Sequence, residues 1–247
     1  MSIWDCYFDT AGTESSADGT ILVTAGVVAE RDKWTRFDRR WLRILEAEGV
    51  GGLHMREFAH STGQYKTWKG DEPRRGAFLQ TLVSEIKRGI NIGFVSGLVL
   101  PDYRTLDKHY RLTETVGGPY SFAQVGTIAR AFDWLRQRKH PGDGVGFFVE
   151  KGDAGQGALV SFMQREWDTV PLITPRVNDH GEEVTPFQVA DFIAYEHRYA
   201  YDKFWRTRKK ATPRRSMSEL RRMVPLNVGM LDTKMITEFC EKHVALR

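Results

Sequence analysis

Near its N-terminus the chain reads Ile3-Trp4-Asp5-Cys6-Tyr7-Phe8-Asp9, and Thr10-Ala11-Gly12-Thr13 follows directly. The first run is mostly apolar or aromatic and predicts a strand, whereas the small residues after it predict a turn. Residues 20–29 are rich in β-branched side chains and predict a second strand, joined to the first as a hairpin with a long polar loop. Asp9 therefore stands where a strand gives way to a turn. A carboxylate there either bonds to its own backbone or points at a ligand.

Helical and strand patterns are mixed over the rest of the chain. Apolar spacing predicts helices at 31–48, 73–88, 120–138, 157–167, 185–205 and 232–244, and strands at 90–100, 145–150 and, more weakly, 170–177. A hairpin followed by this mixture favours an α/β domain with a mixed sheet flanked by helices. We expect that domain to span residues 1–205, with a basic C-terminal extension, residues 206–247, packed on or beside it.

Composition narrows the class of protein. Of the 247 residues, 41% are hydrophobic and 28% charged, which is typical of a globular domain. No apolar run approaches the ~20 residues of a membrane span, and no secretory signal is recognisable. Cys6 and Cys240 form neither a disulfide framework nor a thiolate metal site. The sequence predicts a cytoplasmic protein with no membrane partner and leaves the oligomeric state open, a homodimer included.

Glu150 repeats the position of Asp9. It ends the apolar run Val145-Gly146-Phe147-Phe148-Val149, and a turn with Gly152 and Asp153 follows. If the two strands are neighbours, the carboxylates of Asp9 and Glu150 lie close enough to require a proton or a cation between them. Asp153 is a further oxygen ligand in reserve. A plain surface turn is the alternative interpretation.

Asp191 lies in a helix that is apolar on nearly all sides, residues 186–195. Such a helix is buried, and a buried carboxylate is costly unless it pairs with an arginine or binds a metal ion. Glu57 is a weaker candidate, three residues after His54 and on the same side if that segment is helical. Phe58 occupies the position where a zinc protease motif needs a second histidine, so Glu57 does not belong to such a motif. The alternative interpretation is that Glu57 lies in a solvated loop.

Acidic ligands without clustered histidine or cysteine suit Mg²⁺ or Mn²⁺ rather than Zn²⁺. Two such ions about 4 Å apart serve the attack of water on a phosphodiester. The sequence therefore offers Asp9, Glu57, Glu150 and Asp191 as catalytic residues. Its metal-ligand candidates are Asp9, Glu150, Asp153 and Asp191.

A strongly basic segment covers residues 203–222. It holds nine lysines and arginines against Glu219 alone, a net charge of +8 in a chain whose net charge is +4. Phe204 and Trp205 adjoin it and could stack on bases. The segment predicts contact with the backbone of DNA or RNA, and a solvated loop is the alternative. The nucleic-acid contacts we expect are Lys203, Arg206, Arg208, Lys209, Lys210, Arg214 and Arg215.

These motifs, in this order, resemble the bacterial and phage family called domain of unknown function 3800, which is similar to ribonuclease-H-like nucleases. The resemblance rests on Tyr7-Phe8-Asp9-Thr10-Ala11-Gly12, the segment His54 to Glu57, Phe147-Phe148-Val149-Glu150, and above all Phe187-Gln188-Val189-Ala190-Asp191 within a longer helix. It covers residues 7–196. Thr10 departs from the Glu or Ser usual in the family, and Glu150 replaces the commoner Asp.

The resemblance implies a ribonuclease-H-like fold with divalent metal held by acids on the first strand, a central strand and the last helix. Here those acids are Asp9, Glu150 and Asp191. A metal-dependent nuclease is thus the leading hypothesis. A ribonuclease-H-like module that binds nucleic acid without cutting it is one alternative.

A haloacid-dehalogenase-like phosphohydrolase is the other alternative. In such an enzyme Asp9 would be the nucleophile, and Ser96 would belong to the second motif. Ala11 occupies the position where most of those enzymes carry a second acid.

Overall fold

The computed structural model describes residues 2–12, 20–138, 140–152, 154–177, 183–207 and 212–243. Within these ranges the chain forms six strands and ten α-helices, and a 3₁₀ helix at Gly63–Trp68. The strands are β1 (Ile3–Ala11), β2 (Ile21–Glu30), β3 (Ile92–Val99), β4 (Gly144–Glu150), β5 (Leu172–Thr174) and β6 (Leu226–Leu231). The helices are α1 (Arg31–Glu48), α2 (Met55–His60), α3 (Glu72–Gly89), α4 (Leu100–Tyr110), α5 (Leu112–Val116), α6 (Pro119–Arg136), α7 (Gln156–Trp167), α8 (Thr185–Thr207), α9 (Arg215–Met223) and α10 (Thr233–His243).

The strands form one mixed sheet in the order β5-β4-β1-β2-β3-β6. β1, β2 and β3 are antiparallel neighbours, whereas β4 runs parallel to β1, β5 to β4, and β6 to β3. The prediction of an α/β fold with a mixed sheet is therefore confirmed. β1 lies in the interior of the sheet, between β4 and β2, so both of its edges are paired.

Side chains alternate between two apolar layers, one on each face of the sheet. Cys6 and Phe8 of β1 point into the layer formed with α6, α7 and α10. Tyr7 and Ala11 pack into the other layer, formed with α1, α3 and α8. Asp9 lies between Tyr7 and Ala11 in this alternation, so it faces the side of the sheet that α8 covers.

Several elements differ from the prediction. The strand expected at 90–100 ends at Val99, because Leu100 and Pro101 begin α4, where proline is favoured in the first turn. The sequence interpretation also missed α5, α9 and β6. β6 pairs with β3 at the edge of the sheet, and α10 contributes Ile236 and Cys240 to one apolar layer. Residues beyond 206 thus supply part of the sheet and of its core. No described helix has both the length and the apolar character of a membrane span.

Candidate active site

Asp9 and Glu150 are brought together by strand pairing. β1 and β4 are parallel, and Phe8 lies beside Val149 in their register, which places the two acids at the same end of neighbouring strands. Tyr7 and Phe148, two residues earlier on each strand, stack with ring centroids 4.6 Å apart. Since side chains two residues apart share a face, Asp9 and Glu150 project from that same side.

Asp191 reaches this side from α8, which packs across β1 and β2. Phe187, one helical turn before Asp191, contacts the edge of the Tyr7 ring at a centroid distance of 5.4 Å. The Asp191 carboxylate accepts a hydrogen bond from the backbone N–H of Met55 at 3.0 Å. Its side chain is 17% exposed, as expected for an acid on a buried helix.

Arg176 joins the two best-defined acids, and the sequence interpretation missed it. Thr174 of β5 pairs with Glu150, and Arg176 follows two residues later, just beyond the end of the strand. Its Nη1 lies 3.2 Å from Glu150 Oε2, and its Nη2 lies 3.3 Å from Asp191 Oδ2. The only signal in the sequence is an arginine just after a weak strand, which is common at protein surfaces.

The ionisation of this cluster reflects its burial. Burial raises the pKa of Asp191 and of Glu150, and the charge of Arg176 opposes that rise in both. Burial acts to lower the pKa of Arg176, but the negative charges of Asp191, Glu150 and Asp9 raise it overall. Asp9 is therefore close enough to act on the same guanidinium. Its own Oδ1 accepts the N–H of Thr10 at 2.7 Å, the local bond expected of an acid at a turn.

Glu183 and His54 form a polar layer next to the cluster. His54 Nε2 lies 3.0 Å from Glu183 Oε1, and Gln188 donates to Glu183 Oε2 at 2.7 Å. The hydrogen bond to Glu183 raises the pKa of His54 against the lowering effect of burial. The oxygen of Gln188 is fixed in turn by Trp41 and by the N–H of Leu53. The sequence analysis had named His54 only as a companion of Glu57.

Glu57 takes a different direction from the other acids. It lies on α2, and a Cβ atom placed on Gly63 would come within 2.3 Å of Glu57 Oε2. The buried hydroxyl of Tyr65 lies near enough to feel the charges of Glu57, Glu183 and Asp191, and burial is the main cause that raises its pKa. Glu57 thus lies near the cluster, but the acids that contact Arg176 are Glu150 and Asp191.

The donors suit a hard divalent cation in their chemistry, since Asp9, Glu150 and Asp191 all offer carboxylate oxygens. As the described side chains stand, however, no three acids, histidines or cysteines are grouped closely enough to share a metal ion. The guanidinium of Arg176 supplies the positive charge between Glu150 and Asp191. Asp153, the reserve ligand, lies outside the described residues.

Ser96 lies on the opposite face of the sheet from Asp9. In the register of β1, β2 and β3, Thr10 pairs with Thr24 and Thr24 with Ser96, so these three share a face. Arg130 of α6 lies 3.4 Å from the Ser96 hydroxyl on that face. Ser96 is therefore not placed to assist Asp9 as the dehalogenase-like alternative requires.

The basic segment begins on α8, well away from the carboxylates. Lys203 lies twelve residues after Asp191, about 18 Å along the helix axis at ~1.5 Å per residue. Arg206 pairs with Asp202 at 2.8 Å. Arg208, Lys209 and Lys210 lie outside the described residues.

Arg214 and Arg215 differ in their surroundings. Arg214 packs on the Tyr199 ring at 3.5 Å and lies 3.8 Å from buried Glu196, so it is held inside the protein surface. Arg215 is exposed beside a cleft of about 550 Å³ lined by residues of α2, α3, α8 and α9. Arg215 is therefore the better placed of the two for an external anion.

Comparison with known proteins adds no relative: no family model matches the chain, and no curated protein shows significant similarity. Function must therefore be argued from the site itself.

Proposed function

We propose that the protein is a divalent-metal-dependent nuclease of the ribonuclease-H-like type, as in the family called domain of unknown function 3800. The observation that carries the proposal is the convergence of Glu150 and Asp191 on Arg176, with Asp9 beside them. Buried acids whose pKa values are raised by burial and that share a specific charged partner are candidates for functional groups.

The order of elements supports the same proposal. Asp9 lies on the first strand, Glu150 lies on its parallel neighbour, and Asp191 lies on the helix that packs across that strand. This is the arrangement that the sequence resemblance implies. One difference is that α9 and α10 follow α8, so Asp191 is not on the last helix.

In this proposal, Asp9, Glu150 and Asp191 hold Mg²⁺ or Mn²⁺. A metal held by these carboxylates would supply an activated water and stabilise the leaving oxygen of the phosphodiester. The Met55 N–H orients Asp191. His54 and Gln188 hold the Glu183 carboxylate in place next to the cluster.

The nucleic-acid backbone would be bound by the basic segment. The distance of about 18 Å from Asp191 to Lys203 corresponds to roughly five nucleotides at ~3.4 Å each along one strand. Lys203, Arg206 and Arg215 are the described candidates for this contact. Because the contacts are to phosphates, we expect binding to weaken steeply as salt is raised.

The test uses Asp9→Asn and Asp191→Asn on labelled single-stranded, duplex and hybrid substrates with Mn²⁺. We expect the wild-type chain to cleave at least one of these substrates and each of the two variants to lose that cleavage. Asp32→Asn, on the exposed first turn of α1, is the matched control and should cleave normally. Cleavage by both site variants at the wild-type rate would overturn the proposal.

A second candidate function is nucleic-acid binding without cleavage. The observation in its favour is that Arg176 already neutralises part of the cluster in the absence of metal. Salt-dependent binding of oligonucleotides by wild-type protein, with no cleavage in Mg²⁺ or Mn²⁺ and no binding of either ion, would establish it.

A further inference from the structure

Arg176 is held by shared contacts rather than by a two-pronged ion pair. Its nitrogens lie 3.2 Å from Glu150, 3.3 Å from Asp191 and 3.4 Å from the Leu53 carbonyl. Charge-assisted N–H···O bonds are usually about 2.7–2.9 Å long. The Nε atom of Arg176 is buried and has no hydrogen-bond partner among the described residues. The guanidinium is therefore positioned by charge more than by optimal hydrogen bonding.

Arg31 shows what a tight pair looks like in the same protein. Its Nε and Nη2 bind the two oxygens of buried Asp5 at 2.8 and 2.9 Å, one nitrogen to each oxygen. Such a fork is the strong geometry for arginine and carboxylate. By comparison, Arg176 divides its donors between two acids from different elements, so less hydrogen-bond energy opposes its departure.

The charge balance around Arg176 favours an added cation. Asp9, Glu150, Asp191 and Glu183 all act to raise the pKa of this one guanidinium. When these four carboxylates are ionised, they place four negative charges beside the two positive charges of Arg176 and protonated His54. A divalent ion would neutralise the excess, and its smaller size would let it approach carboxylate oxygens that a planar guanidinium cannot all reach.

We propose that Arg176 is a resident counter-ion that a divalent cation displaces from Glu150 and Asp191, and that the released guanidinium then binds a phosphate of the nucleic acid. The inference rests on the proposed metal site. Arg176 follows β5 directly and its side chain is 20% exposed, so it is accessible from the surface. Arginine suits the second role because its planar donors match phosphate oxygens.

The first test measures Mn²⁺ affinity by electron paramagnetic resonance, without any substrate. Arg176→Gln should bind Mn²⁺ about tenfold tighter than wild type, the effect of one positive charge ~5 Å from a divalent ion with water-like screening. Arg31→Gln, which breaks the Asp5 pair elsewhere, is the matched control and should leave the affinity unchanged. Arg176→Lys keeps the positive charge but lacks the planar paired donors of arginine, so we expect an intermediate Mn²⁺ affinity. This variant also tests the proposal if Arg176→Gln fails to fold.

Three results distinguish the counter-ion role of Arg176 from the proposed metal site itself. Equal or weaker Mn²⁺ binding by Arg176→Gln, with clear binding by wild type, overturns the counter-ion role and leaves the metal site standing. No Mn²⁺ binding by wild type or by either Arg176 variant overturns both. Tighter binding by Arg176→Gln, with Arg31→Gln unchanged, supports the displacement.

The second test measures binding of a labelled single-stranded oligonucleotide by fluorescence anisotropy, in Ca²⁺ and in EDTA. If the released guanidinium binds phosphate, Arg176→Gln weakens binding about tenfold in Ca²⁺ but leaves it unchanged in EDTA, where wild-type Arg176 stays on the acids. Equal loss under both conditions, or no loss in Ca²⁺, overturns the phosphate-binding role.

Discussion

Replacement of Asp191 by asparagine should stabilise the metal-free protein at pH 8, although it removes an ion pair. The attraction between Asp191 and Arg176 at 3.3 Å amounts to about 5 kcal/mol at an effective dielectric constant of ~20. Repulsion from Glu150, on the other side of the guanidinium, offsets part of this attraction. Burial of the ionised Asp191 carboxylate also removes its hydration, which costs the folded state several kcal/mol. The raised pKa of Asp191 indicates that desolvation and repulsion together exceed the attraction, so we expect Asp191→Asn to raise the free energy of unfolding by about 1–2 kcal/mol.

The pH dependence follows from the sign of the pKa shift. Burial raises the pKa of Asp191 in the folded state above its ordinary value. The folded protein thus holds this proton more firmly than the unfolded chain, and wild type loses stability as the pH rises through the folded-state pKa. Asparagine has no such loss. The advantage of Asp191→Asn should be present at pH 8 and disappear once the pH falls below the ordinary pKa of an aspartate, where folded and unfolded chains both hold the proton.

The assay is thermal unfolding in EDTA across this pH range. For a chain of this length, 1–2 kcal/mol corresponds to roughly 2–8 °C in Tm. Asp5→Asn is the contrasting control, because its fork with Arg31 is lost without relief of any neighbouring acid; we expect it to destabilise at pH 8 by about 1–3 kcal/mol. If Asp191→Asn destabilises at pH 8 as much as Asp5→Asn does, the electrostatic reasoning is refuted.

Four further predictions concern other parts of the molecule. Burial lowers the pKa of His197 to about 4. The protein therefore loses about 3 kcal/mol of its free energy of unfolding as the pH falls from 6.5 towards 4, because the unfolded chain takes up this proton first. Urea unfolding of His197→Leu should show a shallower acid dependence than wild type. Gly26→Ala should destabilise by about 3 kcal/mol or more in the same assay, since its Cβ would come within 2.3 Å of the Phe8 ring. Lys203→Gln should lower the salt dependence of oligonucleotide binding by about one phosphate contact. Arg214→Gln should mainly lower the Tm, because Arg214 packs on aromatic rings.

The sheet was largely predictable because its strands carry strong local signals. β1, β2 and β4 combine β-branched or aromatic residues with turns at their ends, and α1 was predicted with its observed bounds. β6, by contrast, reads Leu226-Asn227-Val228-Gly229-Met230-Leu231, with a glycine and an asparagine that weaken any local strand preference. Its strand conformation depends on pairing with β3, which no local pattern reveals.

The candidate site was predictable only in part, for a related reason. Asp9, Glu150 and Asp191 each stood out locally, as acids beside apolar runs, and the topology places all three on one side of the sheet. Arg176 and Glu183 have no such contrast with their neighbours in the sequence. The role of Arg176 arises from the β4–β5 register, and that of Glu183 arises mainly from its contact with His54, 129 residues away in the chain.

The pairing of β6 with β3 also bears on how the chain is made. Gly93 lies beside Leu226, so more than half of the polypeptide is synthesised between the two partners. During translation, the outer edge of β3 must remain open until residues 226–231 leave the ribosome. An open strand edge is a ready template for another chain. We therefore expect nascent chains that stall after α8 to aggregate through β3, and expression to improve at low temperature or with chaperones that shield strand edges.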